Sequence, residues 1–406
     1  MNGGVRFGRI FGIDLAFDVS WFLILLLIVW NLCSVFGYWH PAWPLATVVL
    51  VALIAAVLFF GSVVVHELAH SLVARAYGIP VRSITLFLFG GVSNIERDPD
   101  SPKVELLMAI VGPLVSLVLG LFFSMLAAAS MRGDIGSTPI DLSQSPTLLF
   151  SQLGPASTLL AWLGPINILV GLFNLIPGFP LDGGRVLRAI LWSVTGDLQR
   201  ATRWATQVGQ VFGWLLILLG VAMSFGARLP FFGTGFVSGL WLMFIGWFLS
   251  NAARQSYRGV VVHELLHGIP VSRLMRPTSV GIPAELPVSS LVNDWFTKTE
   301  ERALAVIHDG ALIGLVCIGD VRKLAMESWS TTPVSDIMTP LPRLVSVSPT
   351  EDASGALLKL GRLDVGQLPV VNKDGQLVGM LVQSDVLRWL DLHRDARGPM
   401  RRSYAP

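Results

Sequence analysis

The chain has little charge and little cysteine for its length. Asp, Glu, Lys and Arg form 14% of its 406 residues, whereas a soluble domain has roughly 25%. Its two cysteines, Cys33 and Cys317, lie in different parts of the sequence, which argues against a disulfide framework. The net charge is only +2, and the sequence has no basic stripe with interleaved aromatic residues, so nucleic acid is not an expected partner.

Apolar residues are abundant between residues 19 and 253, whereas residues 254–406 resemble an ordinary soluble protein. Overall, 53% of the residues are hydrophobic, and the mean hydropathy is +0.65. The first apolar stretch lacks a clear cleavage site and is expected to be a retained span. The sequence predicts a polytopic α-helical domain in the lipid bilayer over residues 1–253. A spanning helix needs about 20 mostly apolar residues, and the six candidates are about 19–38, 46–73, 104–130, 157–176, 207–226 and 236–252.

Lys and Arg alternate between the two sides of this predicted domain. Arg6 and Arg9 precede the first span, and the second and fourth connections are rich in basic residues. The first connection carries none, and the third and fifth carry only Arg132 and Arg228. Because basic loops favour the cytoplasmic side, we expect a multi-pass protein of the cell membrane with cytoplasmic N- and C-termini.

The second span contains an HExxH motif formed by His66, Glu67 and His70. On a helix, positions i and i+4 share a face, so both imidazoles can bind one Zn²⁺ while the glutamate lies beside them. From Trp43 to Val73 these are the only ionisable side chains, and such groups within a membrane usually have a function. The motif therefore indicates a zinc site with Glu67 as general base toward a water molecule.

The fourth span ends in a second polar stretch, residues 174–185, in which two prolines and a glycine interrupt the helix. Asp182 follows the break on the same predicted side of the membrane as His70. An Asp near a helix N-terminus is often a cap, but a catalytic zinc takes three protein ligands, and Asp182 would complete a set of two histidines and a carboxylate. Asn174 either orients the substrate or stabilises an oxyanion, or it makes a helix-packing hydrogen bond.

A second HExxH motif occupies residues 263–267, after the last span. It has no membrane setting, and no proline-broken, Asp-bearing stretch accompanies it. The motif by itself is a weak signal, so we interpret residues 254–269 as an amphipathic linker helix and not as a metal site.

Residues 83–95, between the second and third spans, are too short to cross a membrane. They are rich in β-branched and aromatic residues around Gly90 and Gly91, which is typical of a strand or hairpin. Such backbone at membrane depth must be paired or line a cavity. The segment is either a connecting hairpin at the interface or an edge that pairs with an extended peptide.

Residues 270–393 contain an internal repeat. The sequence PVSRLMRP from Pro270 recurs as PVSDIMTP from Pro333, and LIGLVCIGDVRKL from Leu312 recurs as LVGMLVQSDVLRWL from Leu377. Each copy has short helices, paired strands and a helix opened by Asp. The pattern predicts an α+β module present twice, over residues 270–332 and 333–393, followed by a basic tail at 394–406.

HELAH in the second span, together with NLIPGFPLDGG after the fourth, resembles the site-2 protease family of intramembrane zinc metalloproteases. This resemblance implies that His66, His70 and Asp182 bind one catalytic zinc and that Glu67 is the base. It also implies that the substrate is a transmembrane segment of another membrane protein, cut in regulated intramembrane proteolysis. The substrate strand would then dock at Gly90 and Gly91.

The repeat resembles a tandem pair of CBS domains, so that the two resemblances cover nearly the whole chain. CBS pairs commonly bind adenine nucleotides, which implies that Asp320 and Asp385 hold the ribose. The family pattern has Thr or Ser three residues before each Asp, whereas this chain has Cys317 and Val382. The module is therefore either a nucleotide sensor or a structural module through which the chain forms a homodimer.

The favoured function is an intramembrane zinc endopeptidase with a cytoplasmic CBS pair as its regulatory or dimerisation module. An alternative is a non-catalytic membrane scaffold or nucleotide sensor with a structural zinc site. A structural site has no need of a base such as Glu67 and usually fills all four zinc positions with protein ligands. A transporter is a third alternative, but it predicts repeated spans or paired broken helices, and the sequence shows one broken helix.

Overall fold

The computed structural model describes residues 5–87, 90–95, 97–135, 150–228, 235–277, 281–299, 302–308, 311–363 and 365–394. The chain divides into two compact units, Met1–Arg258 and Gly259–Pro406. The predicted basic tail lies, after Arg394, outside the described residues.

The first unit is built mainly from helices. In the described part of the chain they are α1 (Val19–Trp39), α2 (Leu45–Ala76), α3 (Pro102–Ile135), α4 (Pro155–Asn174), α5 (Asp182–Thr195), α6 (Leu198–Ser224) and α7 (Phe236–Leu266). The last eight residues of α7 belong to the second unit. All except α5 are long and apolar enough to cross a membrane. The six predicted spans are thereby confirmed, although α6 and α7 are longer than their predicted apolar stretches. The segment predicted as a linker helix continues α7 as far as Leu266.

Large apolar side chains cover the outer faces of these helices. Trp30, Val118 and Leu218 are 71%, 64% and 65% exposed. Helices that are apolar on their outward as well as their inward faces suit a lipid environment. Between the helices, small residues such as Ala52 and Ala55 are fully buried, which lets the helix backbones approach closely.

A four-stranded sheet also belongs to the first unit. Its strands are β1 (Val5–Ile10), β2 (Ile13–Phe17), β3 (Val81–Phe87) and β4 (Gly90–Ile95), in the spatial order β1-β2-β3-β4. β2 and β3 are parallel, and the other two pairs are antiparallel. The hairpin expected within residues 83–95 is therefore part of a larger sheet. Among the described strands, β4 pairs only with β3 and lies at the sheet edge.

The hairpin of β1 and β2 was not predicted from the sequence. Its turn is formed by Phe11 and Gly12, which have φ values of 49° and 78°. Positive φ at both central residues is the requirement of a type I′ turn, which suits the twist of a two-residue hairpin. Ile13 and Leu15 then alternate into a buried cluster with Ile84.

The connection from α4 to α5 shows the predicted helix break. α4 ends at Asn174, since the two prolines that follow cannot continue a helical hydrogen-bond pattern. The chain turns back on itself, and α5 begins at Asp182. A Cβ on Gly184 would lie 2.3 Å from the backbone nitrogen of Phe179, so the first turn of α5 can pack against this connection only with glycine there.

The second unit contains α and β elements in two sheets. The strands are β5 (Arg276–Pro277), β6 (Ile282–Pro283), β7 (Ala303–His308), β8 (Ala311–Cys317), β9 (Thr339–Pro340), β10 (Gln367–Val371) and β11 (Leu377–Val382). Its longer helices are α8 (Ala353–Leu363) and α9 (Gln383–Arg394). Short helical turns occupy Val271–Arg273, Val288–Ser290, Leu291–Phe296, Ile318–Val321, Met326–Ser328, Val334–Ile337 and Leu341–Arg343.

The two sheets exchange strands between the repeats. Their spatial orders are β10-β11-β5 and β6-β7-β8-β9, so the first strand of each sequence repeat pairs within the sheet of the other repeat. Val306 and Val316 are buried in one core, and Leu360 and Leu381 in the other. The predicted fold class, a polytopic helical membrane domain followed by an α+β module, is confirmed.

Candidate metal centre and active site

The three residues predicted as metal ligands lie together. His66 and His70 share one buried face of α2, and Asp182 approaches from the start of α5. Asp182 Oδ2 lies 3.1 Å from His66 Nε2 and 3.2 Å from His70 Nε2, and the two Nε2 atoms are 3.1 Å apart. In the described part of the chain, this is the one group of three His, Cys, Asp or Glu side chains close enough to hold a metal ion.

Hydrogen bonds on the far side of each imidazole orient its Nε2 atom. His70 Nδ1 lies 2.5 Å from the carbonyl oxygen of Met108, which can only accept, so Nδ1 carries the proton. In the neutral ring, Nε2 then presents a lone pair toward Asp182. His66 Nδ1 lies 2.8 Å from Ser116 Oγ, a hydroxyl that can accept an N–H in the same way. Metal-binding histidines are commonly fixed by such contacts.

The donor geometry fits a zinc ion. Ligands about 2.0–2.1 Å from zinc in a tetrahedron lie roughly 3.3–3.4 Å from one another, close to the observed separations. The neighbouring helix leaves room at this point because it has a glycine there. A Cβ on Gly112 of α3 would lie 2.1 Å from His70 Nε2 and 2.7 Å from His66 Nε2, at the point where the three candidate donor atoms converge.

The edge strand β4 contacts Glu67. Ser93 Oγ donates to Glu67 Oε2 at 2.8 Å, and Ser71 Oγ donates to Ser93 Oγ at 3.1 Å. A Cβ on Gly91 would lie 2.4 Å from Glu67 Cγ, so the strand can pass this side chain only with glycine there. Gly90 begins the strand with a φ of 129°, a value that L side chains rarely adopt. The structure thus brings the predicted base and the predicted docking strand together.

Asn174, the other predicted catalytic residue, makes its hydrogen bond within its own helix. Its Nδ2 donates to the carbonyl oxygen of Val170 in its own helix at 3.0 Å. Among the described residues, no hydrogen bond joins Asn174 to His66, His70 or Asp182. Its role in orienting the substrate or stabilising an oxyanion stays a prediction.

The second HExxH motif has a different environment. His263 and His267 stack with their ring centroids 5.9 Å apart, and His267 Nδ1 lies 3.6 Å from Asp352 Oδ2. Within the described residues, these histidines are not part of a group that could hold a metal ion.

The second unit contains a cavity of about 620 Å³. Three of its lining side chains are arginines, and their positive charge suits an anionic ligand. Cys317 and Ser384 also line it, the first at a position where the CBS pattern has a hydroxyl. The arginines are Arg276, Arg302 and Arg322.

The two predicted nucleotide-binding aspartates do not line this cavity. Asp320 Oδ2 accepts a hydrogen bond from the backbone nitrogen of Cys317 at 3.0 Å, and Lys323 Nζ donates to Oδ1 at 2.9 Å. Arg276 donates to both oxygens of Asp385, from Nε at 2.5 Å and Nη2 at 2.9 Å. These bonds lower the pKa of the Asp385 carboxyl. Both carboxylates therefore already accept hydrogen bonds from neighbouring groups of the protein.

Four residues around the metal centre were missed by the sequence reasoning. Ser93, Met108, Gly112 and Ser116 contact Glu67 or the two histidines, but none belongs to a sequence motif. The helical spacing of residues 108, 112 and 116 in α3 would have put all three on one face. Nothing in the sequence indicates that this face meets the HExxH motif, because that contact depends on helix packing.

Comparisons with known proteins agree with this geometry. The model of peptidase family M50 matches residues 54–216, and the model of the CBS domain matches residues 334–392. The Synechocystis protein sll0528, named as a zinc metalloprotease, is 35% identical over 96% of this chain and 96% of its own length. The Mycobacterium tuberculosis protein Rip3, also so named, is 33% identical over 98% of this chain and 95% of its own.

A solved structure is also similar. The site-2 protease from Methanocaldococcus jannaschii is 27% identical, and the match covers 63% of this chain and 95% of that chain with a TM-score of 0.40. The family assignment follows from the full-length relatives. The chain belongs to peptidase family M50, the site-2 proteases, and is a multi-pass membrane zinc metalloendopeptidase with a CBS domain sequence in its second unit.

Proposed function

We propose that this chain hydrolyses peptide bonds within transmembrane segments of other membrane proteins. The observation that carries the proposal is the convergence of His66, His70 and Asp182 beside Glu67, with Glu67 and both histidines on a helix that is apolar enough to cross a bilayer. In this proposal the three residues hold one catalytic zinc ion, and the fourth position is left for the reaction.

The residues around the proposed centre have separate roles. Zinc, when bound, supplies a Lewis acid that polarises the scissile carbonyl and makes water more acidic. Glu67 removes a proton from the attacking water as its oxygen adds to the carbonyl carbon, and then delivers that proton to the leaving amine as the C–N bond breaks. The hydrogen bond from Ser93 holds Glu67 Oε2 in place, so the base is oriented before the substrate arrives.

The substrate would bind as an added strand along β4. Support comes from the edge position of this strand and from the contacts of Gly91 and Ser93 with Glu67. An extended peptide paired with β4 would carry its amide groups past the base. A helical substrate has its amides hydrogen-bonded internally, so it must unwind locally before cleavage.

Two features argue against a purely structural zinc site. A structural site usually has four protein ligands, whereas the described residues offer a group of three. The structure also places a carboxylate, Glu67, next to this group on the same helix, with a hydroxyl donor on its Oε2. A scaffold would gain nothing from a buried base in that position.

The second unit is proposed to respond to an adenine nucleotide. Support comes from the cavity, which Arg302 and Arg322 line together with Arg276, the partner of Asp385, because guanidinium groups suit phosphate oxygens. In this proposal the phosphates, and not a ribose held by Asp320 and Asp385, provide the main contacts. The proposed arrangement puts both termini in the cytoplasm, where such nucleotides are abundant.

The experiment that tests this function compares the membrane proteomes of cells that carry the wild-type chain and the Glu67→Gln form. Glutamine keeps the shape of the side chain but cannot act as a base. We expect a single-pass protein, or its trimmed stump, to accumulate only with Glu67→Gln. Identical proteomes under several stresses would favour the scaffold or sensor function.

A further inference from the structure

One face of α3 contacts each of the two proposed histidine ligands. Met108 and Ser116 bond to their Nδ1 atoms, and Gly112 leaves room for their Nε2 atoms. Glu105 lies on the same face, since residues 105, 108, 112 and 116 follow helical spacing. Glu105 does not contact either histidine, and its partner lies on α5.

Glu105 and Arg188 form a buried ion pair between α3 and α5. Their side chains are only 1% and 7% exposed. Arg188 Nε donates to Glu105 Oε1 at 2.6 Å, and Arg188 Nη2 also contacts this oxygen. The guanidinium of Arg188 lies over the ring of Phe179, 5.3 Å from its centroid. One arginine therefore joins α3 to both α5 and the connection that precedes it.

Such a pair is a poor way to stabilise an apolar protein. Removing two charges from water is energetically costly, and apolar side chains of similar volume often stabilise a protein as well or better. A charged pair does, however, fix the direction and distance between two helices, since its hydrogen bonds require a particular geometry. In this protein, the pair fixes α5 relative to α3, the helix that contacts both histidines.

Asp182 is the proposed ligand whose position is hardest to fix. It lies on α5, which follows a proline-broken connection, whereas both histidines lie on one continuous helix. Arg188 is six positions further along α5, so it can set the rotation and height of this helix about 9 Å from its first residue. We infer that the Glu105–Arg188 pair is a positioning device that holds Asp182 against His66 and His70.

This inference rests on the proposed zinc site, and zinc affinity tests both separately. The full-length chain in detergent is stripped of metal, and its affinity for zinc is measured by competition with a chelator. Asp182→Asn serves as the reference for a lost ligand. If Asp182→Asn binds zinc as tightly as the wild type, the proposed site itself is wrong, whatever the other variants do.

Arg188→Lys is the variant that tests the positioning role. Lysine keeps the buried charge but lacks the planar fork of donors, so Asp182 loses its fixed placement. We expect zinc affinity to fall about 10–100-fold, the usual effect of removing a group that orients a metal ligand. Arg185→Lys is the matched control. Arg185 lies on the same helix, but its Nε is 4.0 Å from Glu105 Oε1, beyond hydrogen-bond distance. The zinc affinity of this variant should therefore equal that of the wild type.

A charge exchange separates positioning from folding. Glu105→Gln removes one charge of the pair and should weaken zinc binding. Glu105→Arg combined with Arg188→Glu restores an ion pair, and we expect this double variant to recover most of the lost zinc affinity. The thermal midpoint of the metal-free protein shows whether each variant is folded. The inference is overturned if folded Arg188→Lys binds zinc like the wild type, or if Arg185→Lys weakens binding equally.

Discussion

Gly112 lies so close to His70 that a single methyl group on it would fill the proposed metal site. The Cβ of any other residue at this position would be 2.1 Å from His70 Nε2 and 2.7 Å from His66 Nε2. These distances are shorter than any van der Waals contact. A backbone position on α3 therefore determines whether the two proposed ligands on α2 have room for a metal ion.

Replacing Gly112 by Ala is expected to abolish zinc binding while the helices still form. Alanine favours a helix, so the loss would come from the methyl group between the imidazoles and not from unfolding. The measurement is zinc per chain in purified protein, with helix content from circular dichroism. Gly61→Ala is the matched control, because Gly61 lies in α2 with open space where a Cβ would be. Full zinc content in Gly112→Ala would contradict the assigned position of the metal.

Ser93→Ala is expected to slow cleavage without loss of zinc. The substitution removes the hydrogen bond to Glu67 Oε2, and hydrogen bonds to charged groups contribute about 1.5–3 kcal/mol. We predict a fall in kcat of roughly 10-fold or more with little change in KM. Ser93→Thr keeps the hydroxyl and should restore much of the rate. A change confined to KM would show instead that Ser93 contacts the substrate.

Helix-breaking residues in the substrate are expected to accelerate cleavage. If the substrate pairs with β4 as a strand, its helix must first unwind, and each glycine weakens a helix by about 1 kcal/mol relative to alanine. Two glycines next to the cleaved bond weaken the helix by about 2 kcal/mol together and should raise kcat/KM by up to roughly 30-fold. The control carries the same two glycines at the far end of the same transmembrane segment. Equal rates for both substrates would argue against docking on β4.

Arg322→Ala is expected to weaken the binding of ATP to the full-length chain. Arg322 lines the cavity of the second unit, and loss of a charge-assisted hydrogen bond of about 1.5–3 kcal/mol corresponds to roughly 10–100-fold in the dissociation constant. Isothermal titration calorimetry measures the effect. Arg343→Ala is the control, because Arg343 is exposed and does not line the cavity. If the wild type binds neither ATP nor AMP, the module is not an adenine nucleotide sensor.

Local sequence patterns were sufficient to predict the six spans and the three side chains that lie together at the candidate metal centre. The spans follow from length and hydropathy, and the i, i+4 spacing of the two histidines on a helix directly determines their common face. Asp182 could be predicted because a proline break within an apolar stretch is unusual and places a carboxylate at a helix start. These features depend on neighbours in the sequence, so no knowledge of helix packing was needed.

Residues that act through packing could not be predicted. Ser116 is 50 positions from His66, and Glu105 is 83 positions from Arg188. Serine and glutamate at these positions are unremarkable in the sequence, and only the contacts of α3 with α2 and α5 give them a role. The N-terminal hairpin was missed for a similar reason, since β2 is stabilised by pairing with β3, far along the chain. The strand exchange in the second unit also depends on long-range pairing.

The most direct test of the central claim measures zinc and cleavage on the same preparations of wild-type and Glu67→Gln protein. The substrate is the membrane protein that accumulates in cells carrying Glu67→Gln. We predict one zinc per chain in both preparations, and a cleavage rate lowered by at least about 10²–10⁴-fold in Glu67→Gln, the usual contribution of general acid–base catalysis. Cleavage by Glu67→Gln at the wild-type rate, with zinc bound, would contradict the assignment of Glu67 as the catalytic base.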